Sequence, residues 1–178
     1  PLQSGSDRIL SRMNRTYSRK EFLDLVVKIR EYMPNCAIST DIIVGFPGES
    51  DQDFKDTMSV VEEVKFNFSY MFKYSSRPGT KAAEYSDQIS EKIKQDRLQE
   101  LIDRQKEITL EVNRGYIGQD LQVIVEKESK KSSSQWSGRT EGNTWVIFDK
   151  MSFEPKDLVT LRIDNAQGVS LFGTPITS

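Results

Sequence analysis

Hydrophobic and polar positions in residues 18–33 repeat with the period of an α-helix. Ser18 and Glu21 lie three residues apart and form a capping box, which predicts where this helix begins. Its predicted buried face consists of Phe22, Leu25, Val26 and Ile29. Ser50 and Asp53 form a second capping pair before another helix, and Ser6 is expected to cap a short helix that runs through Ile9, Leu10 and Met13.

Two short apolar runs between the predicted helices are typical of β-strands. Residues 37–45 and 67–74 are rich in β-forming side chains, as in strands that are buried on both faces of a parallel sheet. A long charged helix is predicted over residues 90–114. Strands that alternate with helices in this way predict an α/β region with right-handed crossovers.

After Gly118 the hydrophobic period changes to two. Five short strands are predicted, with turn-forming residues in the run SKKSSS, at Gly142 and Asn143, and over residues 165–168. The predicted strands are DLQVIVEKE, QWSGRTEGN, TWVIFDK, DLVTLRID and GVSLFGT. Five strands in so short a region favour a closed all-β barrel, because closure removes exposed sheet edges. We therefore expect two domains, residues 1–114 and 115–178.

The composition limits the possible chemistry. The 178 residues are 36% hydrophobic and 29% charged, with one cysteine and no histidine. Catalysis by Ser-His-Asp or Cys-His groups and zinc sites that contain histidine are excluded, as is an internal disulfide. The lone cysteine and the absence of a long apolar run indicate a cytoplasmic protein with no membrane partner. A net charge of −2 means that any RNA binding must come from a local patch.

The stretch STDIIVGFPGES raises the question of a ligand site. Asp41 places a carboxylate in an otherwise apolar strand, so it needs either a partner or a ligand. Gly45 and Gly48 would let the backbone approach a small molecule at the carboxyl end of that strand. The pattern favours ligand binding only slightly over a structural salt bridge.

A second candidate site is a basic cluster in the barrel region, which consists of Lys127, Lys130, Lys131 and Arg139 around Trp136. Cations next to an aromatic ring suit RNA, since they attract phosphates while the ring stacks on a base. The neighbouring carboxylates of Glu126, Glu128 and Glu141 dilute this charge. Composition alone therefore favours a solvated hairpin tip.

Two further residues carry simpler expectations. Cys36 is predicted to be a buried structural thiol, since no neighbouring residue would lower its pKa. Arg77 ends the second strand at a turn formed by Pro78 and Gly79. It could contact a phosphate or simply hold that turn, and the sequence leaves both open.

Three motifs in fixed order give a specific resemblance: PLQSGSDRILSRMNR, STDIIVGFPGES and FKYSSRPGTKAA. The chain resembles the radical S-adenosylmethionine (SAM) methylthiotransferases, and SGRTEGNTWVIFD is similar to the core of their TRAM domain. QSGS and GRTEGN are most similar to the tRNA-directed branch of this family.

The resemblance implies a fold and a set of missing parts. It predicts the end of a partial (β/α)6 barrel followed by an OB-like TRAM barrel, which makes this chain the carboxy-terminal part of a longer protein. The longer protein would use SAM and 4Fe-4S clusters, but the cysteine loop that holds the cluster is absent here. These residues alone are thus expected to be inactive, to provide no catalytic or metal-binding residue, and to keep no cofactor bound. Their partners would be the missing amino-terminal domains and, through an exposed sheet edge, a second copy of the chain.

The resemblance also implies roles for individual residues. Gln3, Arg15 and Asp41 match positions that contact SAM, and Gly45 follows them at the strand end. The TRAM likeness turns the basic cluster into a candidate surface for a tRNA anticodon stem-loop, with Arg77 as a further candidate. The implied activity is methylthiolation of isopentenyl-adenosine beside the anticodon. Two alternatives stay open: a threonylcarbamoyl-adenosine tRNA methylthiotransferase, and a stand-alone RNA-binding module.

Overall fold

A computed structural model describes residues 1–176 of the chain. They form two compact units, Pro1–Ile108 and a second unit that begins at Thr109. The predicted domain division between residues 114 and 115 stays a prediction. None of the helices in residues 1–176 is both long and apolar enough to cross a membrane.

The first unit is mixed α/β, with the helices α1, α2, α3 and α4 and the strands β1 and β2. Their bounds are α1 Asp7–Arg12, α2 Arg19–Tyr32, β1 Ser39–Val44, α3 Asp51–Val64, β2 Phe68–Lys73 and α4 Lys81–Glu84. A last helix, α5 Glu91–Arg114, begins in this unit and ends in the second. β1 and β2 pair in parallel, as predicted, and Gln3 forms an isolated parallel bridge with Ile42 on β1.

The predicted helix caps are confirmed. The Ser6 side chain accepts a hydrogen bond from the Ile9 amide at the start of α1. Complete capping boxes begin α2 at Ser18 and α3 at Ser50. Because a side-chain oxygen satisfies an amide that the helix leaves unpaired, these short polar residues fix where each helix starts.

The predicted buried face of α2 is wrong at Leu25, whose surface is 55% exposed. Val26 is buried, and the Phe22 ring lies 6.2 Å from the Phe66 ring. Phe22, Val26 and Ile29 follow the spacing of one narrow helix stripe, and Leu25 lies on its flank. The prediction for Cys36 is also wrong: this thiol is exposed in the segment between α2 and β1.

The second unit contains a closed five-stranded barrel, as the sequence predicted. Its strands are β3 Asp120–Ser129, β4 Ser132–Thr140, β5 Trp145–Asp149, β6 Leu158–Gln167 and β7 Ser170–Pro175. They close in the order β3-β4-β5-β7-β6, and every pair is antiparallel except β5 with β7. Two predicted turns are shorter than expected, because β4 already begins at Ser132 and β6 continues to Gln167.

Alternating side chains fill the barrel, among them Val125, Val146, Phe148, Leu161 and Leu171. Gly138 on β4 packs closely against the backbone of β3. A Cβ atom at this position would stand 2.4 Å from the Ile124 carbonyl oxygen, so only glycine fits. Since Val146 and Phe148 point inward, Trp145 and Ile147 point outward from the same strand.

Candidate ligand cavity and nucleic-acid interface

The first unit contains a cavity of about 910 Å³ at the carboxyl ends of β1 and β2. Four residues predicted from the sequence line it, namely Gln3, Arg15, Asp41 and Arg77. The structure therefore brings together side chains that are up to 74 positions apart in the sequence, from Gln3 to Arg77. The end of a parallel strand is where ligands of α/β proteins bind.

Gln3 and Arg15 form one side of this cavity. The Arg15 guanidinium donates to the Gln3 side-chain oxygen at 3.0 Å. The Gln3 backbone is fixed against β1, since its N–H donates to the Asp41 carbonyl at 2.8 Å and its carbonyl accepts from the Ile43 N–H at 2.9 Å. Gln3, whose backbone is bonded to β1, thus orients the exposed Arg15 guanidinium at the cavity through its side-chain amide.

Asp41 lies half-buried in the middle of β1. Its carboxylate makes no hydrogen bond or ion pair with any residue in the described part of the chain. The structural salt bridge that the sequence left open is therefore not present among residues 1–176. A half-buried carboxylate that faces a cavity without a partner favours the ligand alternative.

The remaining wall of the cavity is aromatic and basic. The Phe46 ring lies 5.1 Å from the Tyr74 ring and 6.4 Å from the Tyr85 ring, in edge-on contacts. The charged lining residues are Arg12, Arg15, Asp41, Lys73, Arg77 and Lys81. Arg12 already pairs with Asp87 and Lys73 with Glu91. The other cations and the one carboxylate, beside an apolar wall, suit a ligand with a ring, an anionic group and hydrogen-bond donors.

Gly45 does not line the cavity. Its backbone is left-handed, with φ of +71°, and a Cβ atom there would stand 2.4 Å from the Cγ atom of Lys94 on α5. Close packing of α5 therefore explains this glycine, in contrast to the predicted approach to a ligand. The Gly45 N–H donates to the Glu49 carboxylate at 2.8 Å.

Sequence reasoning missed the buried ion pair beside Gly45. Arg97 on α5 donates to Glu49 at 2.8 Å, and Glu49 is only 3% exposed. Burial raises the pKa of the Glu49 carboxyl, although the Gly45 N–H and the Arg97 charge act in the opposite direction. One Glu49 oxygen is buried without a hydrogen-bond partner among residues 1–176. This pair attaches the start of α3 to α5.

The outer face of the barrel carries a second cavity, of about 340 Å³. Three of the predicted RNA-binding residues line it, namely Lys127, Lys130 and Lys131. The cavity also contains three outward apolar side chains: Trp145, Ile147 and Phe172. Three lysines of the predicted basic cluster therefore lie beside an aromatic surface on which a base could stack, but the tryptophan there is Trp145 and not Trp136.

Trp136 does not lie in this cavity. Its position on β4 is opposite Phe148, its indole N–H donates to the Phe153 carbonyl at 3.0 Å, and it packs against the barrel core. Arg139 lies over the ring of Trp145, with 4.0 Å from Cζ to the ring centroid. Side chains alternate between the two faces of a strand, so residues three positions apart lie on opposite faces. This rule could have shown from the sequence that Trp136 and Arg139 do not share a face.

The residues present do not fit an iron–sulfur cluster. Cys36 is the one cysteine of the chain, and a 4Fe-4S cluster uses several cysteine thiolates. Across residues 1–176, no three Cys, Asp or Glu side chains are close enough together to hold a metal ion.

Comparison with known proteins gives two domain matches. Residues 1–61 match the Radical SAM superfamily, and residues 114–176 match the TRAM domain. A protein of Christiangramia forsetii, named tRNA-2-methylthio-N(6)-dimethylallyladenosine synthase, is 46% identical over 99% of this chain and 37% of its own length. A protein of Methylacidiphilum infernorum with the same name is 45% identical over 100% of this chain and 38% of its own length. Another, from Pelotomaculum thermopropionicum, is 48% identical over 83% of this chain and 33% of its own length.

The chain thus spans less than two fifths of the length of these relatives. The two domain matches lie in the α/β unit and over the barrel, in the order that the sequence motifs indicated. The chain thus combines a match to the Radical SAM superfamily in residues 1–61 with a match to the TRAM domain in residues 114–176.

Proposed function

We propose that this chain is the part of a tRNA methylthiotransferase that forms one wall of the SAM site and holds the tRNA. The relatives that match nearly its whole length are named for dimethylallyladenosine in tRNA, and we propose the same acceptor here. The observation that carries the proposal is the half-buried Asp41 carboxylate, which faces the cavity beside Arg15 and Gln3 and has no partner among residues 1–176. Because these relatives are named for a tRNA product, we also propose a cytoplasmic location for the chain.

The side chains of the cavity fit the chemical groups of SAM. Arg15 can pair with the carboxylate of the methionine part, and Asp41 can accept hydrogen bonds from ribose hydroxyls or an amino group. The Phe46 and Tyr85 rings offer an apolar surface for the adenine. SAM supplies the adenosyl and methyl groups when it is bound. Because this wall is open and the chain lacks cluster ligands, we expect weak SAM binding that does not survive purification.

We also propose that β1 and β2 are two strands of a partial (β/α)6 barrel and that Gln3 marks the end of a third. Their parallel pairing and the Gln3–Ile42 bridge support this arrangement. An unpaired sheet edge invites association, so self-association through this sheet stays a prediction.

The barrel is proposed to bind the anticodon stem-loop through its basic outer face. Lys127, Lys130 and Lys131 make no ion pair with any residue in the part of the chain described here. Their charges are therefore free to attract phosphates, even though the net charge of the chain is −2. Lys150 is different, since it pairs with Glu128.

The test is the salt dependence of RNA binding to the 178-residue chain. Fluorescence anisotropy would measure the affinity for a labelled anticodon stem-loop over a series of KCl concentrations. Replacing Lys130 and Lys131 with Ala should lower the log–log salt slope by about 1 to 2, since each lost phosphate contact removes a little under one unit. Lys150→Ala is the matched control, because it removes one ion-paired charge from the same barrel.

The control should keep the salt slope of the unaltered chain. RNA that does not bind even at low salt, or a slope that is the same in all three proteins, would contradict the proposed tRNA surface. Equal affinity for stem-loops with and without the loop adenosine would not, since phosphate contacts carry no sequence information.

A further inference from the structure

We propose that the outer cavity of the barrel binds one unpaired nucleotide, whose base stacks on Trp145. This inference rests on the proposed RNA-binding function and adds a specific ligand to it. It differs from the sequence prediction, which assigned the stacking ring to Trp136. The cavity is lined by the β3–β4 turn and by side chains of all five strands, which belong to one barrel.

The floor of the cavity is a continuous apolar surface on the outside of the barrel. Ile147 on β5 lies opposite Phe172 on β7, and Trp145 lies opposite Ser170. All three apolar side chains are half-buried and none belongs to the barrel core. A volume of about 340 Å³ lies at the small end of the range for ligand pockets, which suits a single nucleotide.

The rim of the cavity is purely basic and polar. Its lining contains Lys127, Lys130 and Lys131 but no Asp or Glu, although the whole chain has 27 acidic and 25 basic residues. Cations around an apolar floor match a ligand with an aromatic ring and a phosphate. In a duplex the base faces are hidden by stacking, so only an unpaired base can use this floor.

The cations over Trp145 differ in how firmly they are held. The Arg139 guanidinium lies 4.0 Å from the ring centroid and is fixed by a hydrogen bond to Asn143 and an ion pair with Glu126 at 3.3 Å. The Lys127 ammonium lies 4.7 Å from the same centroid and has no ion-pair partner among the described residues. Lys127 can thus turn from the ring to a phosphate, and the proposed base takes the place of its ammonium while Arg139 stays over the indole.

The direct test uses the intrinsic fluorescence of the chain, which has two tryptophans. In a Trp136→Phe variant, Trp145 is the one remaining tryptophan. Titration with a hairpin whose loop is unpaired should quench its emission. A duplex of the same stem sequence without a loop should bind through phosphates and leave the emission unchanged.

Affinity measurements separate stacking from charge. Trp145→Ala should weaken hairpin binding by roughly 5- to 150-fold, and this loss should persist at high salt. Trp145→Phe should retain most of the affinity, because its ring can still stack. Trp145→Leu keeps apolar bulk without a ring, should lose affinity like the alanine variant, and replaces it if that protein does not fold. Trp136→Phe is the matched control, since it changes the other tryptophan and should bind like the unaltered chain.

Three outcomes would overturn the inference. Hairpin binding without quenching of Trp145, together with an unchanged affinity of Trp145→Ala, would leave the lysine surface valid but remove the nucleotide site. Equal quenching by poly-glutamate would show that an acidic protein segment fits the cavity. RNA that binds no variant at all would remove both this inference and the proposed tRNA surface.

Discussion

Asp53→Asn should destabilise the first unit and loosen the rim of its cavity. Asp53 is buried at the start of α3 and accepts hydrogen bonds from the Ser6 hydroxyl at 2.6 Å and the Ser50 N–H at 2.7 Å. It also forms an ion pair with Arg8 on α1. Since Ser6 caps α1, this one carboxylate joins the helix that precedes Arg15 to the start of α3.

The contacts of Asp53 set the size of the expected loss of stability. Asparagine keeps one acceptor oxygen but loses the charge and the second acceptor, and a hydrogen bond to a charged group contributes about 1.5–3 kcal/mol. The Arg8 side chain is 52% exposed, so solvent screens its part of the interaction. We expect a loss of about 2–3 kcal/mol in the free energy of unfolding, below the range of about 3–5 kcal/mol for a fully buried pair.

The effect should depend on pH in a defined direction. Burial alone would raise the pKa of Asp53, but the hydrogen bonds from Arg8, Ser50 and Ser6 outweigh it and hold the pKa far below its usual range. A lowered carboxyl pKa stabilises the folded state fully above the unfolded pKa of about 3.9. The difference between the two proteins should therefore be complete at pH 7 and shrink as the pH falls from about 5 toward 2.

Urea unfolding followed by far-ultraviolet circular dichroism measures this loss. Asp24→Asn is the matched control, since Asp24 is 53% exposed and pairs with Lys20 only across one helix turn. It should cost no more than about 0.5 kcal/mol. An Asp53→Asn midpoint equal to that of the control, or a difference that does not shrink in acid, would refute this reasoning.

Three further outcomes are expected. Gly138→Ala should lower barrel stability by about 1–3 kcal/mol, measured by tryptophan fluorescence in urea, because the new Cβ atom meets the Ile124 carbonyl oxygen; no change would show that the strands can separate without cost. The exposed Cys36 should react with a thiol reagent in the native protein at the rate of a free thiol, and protection until unfolding would show that it is buried. Leu25→Ala should change the free energy of unfolding by less than about 0.5 kcal/mol, whereas Leu101→Ala at a fully buried site should cost about 2–5 kcal/mol. Equal losses in urea unfolding would contradict the exposure of Leu25 on α2.

Local sequence signals predicted the local features of the fold. Ser6, Ser18 and Ser50 mark helix starts because a cap depends on a few neighbouring residues. The period of two predicted five short strands, and their closeness in the chain favoured a closed barrel because closure removes exposed edges. Leu25 was misplaced because periodicity indicates a helix face but not how wide a stripe its neighbours cover.

The details of both candidate sites depended on contacts between distant residues. Gly45 is explained by Lys94 on α5, nearly fifty positions later in the chain, which no local motif reveals. Trp145 joins the basic cluster because β4 and β5 pair in a register that sets it opposite Arg139. The strand pattern made Asp41 a ligand candidate and the resemblance suggested SAM as the ligand. Only the structure could show that its carboxylate has no partner in residues 1–176.

Amide NMR of the ¹⁵N-labelled chain tests the central claim, that the α/β unit contributes to a SAM site and the barrel binds tRNA. Millimolar SAM should shift the amide signals of Gln3 and Asp41 in fast exchange, as weak binding requires, and Asp41→Asn should reduce these shifts. An anticodon stem-loop that carries dimethylallyladenosine should shift the Trp145 indole N–H signal and leave that of Trp136 in place. Unchanged cavity amides with SAM, together with indole signals that the stem-loop does not move, would contradict both proposed binding sites.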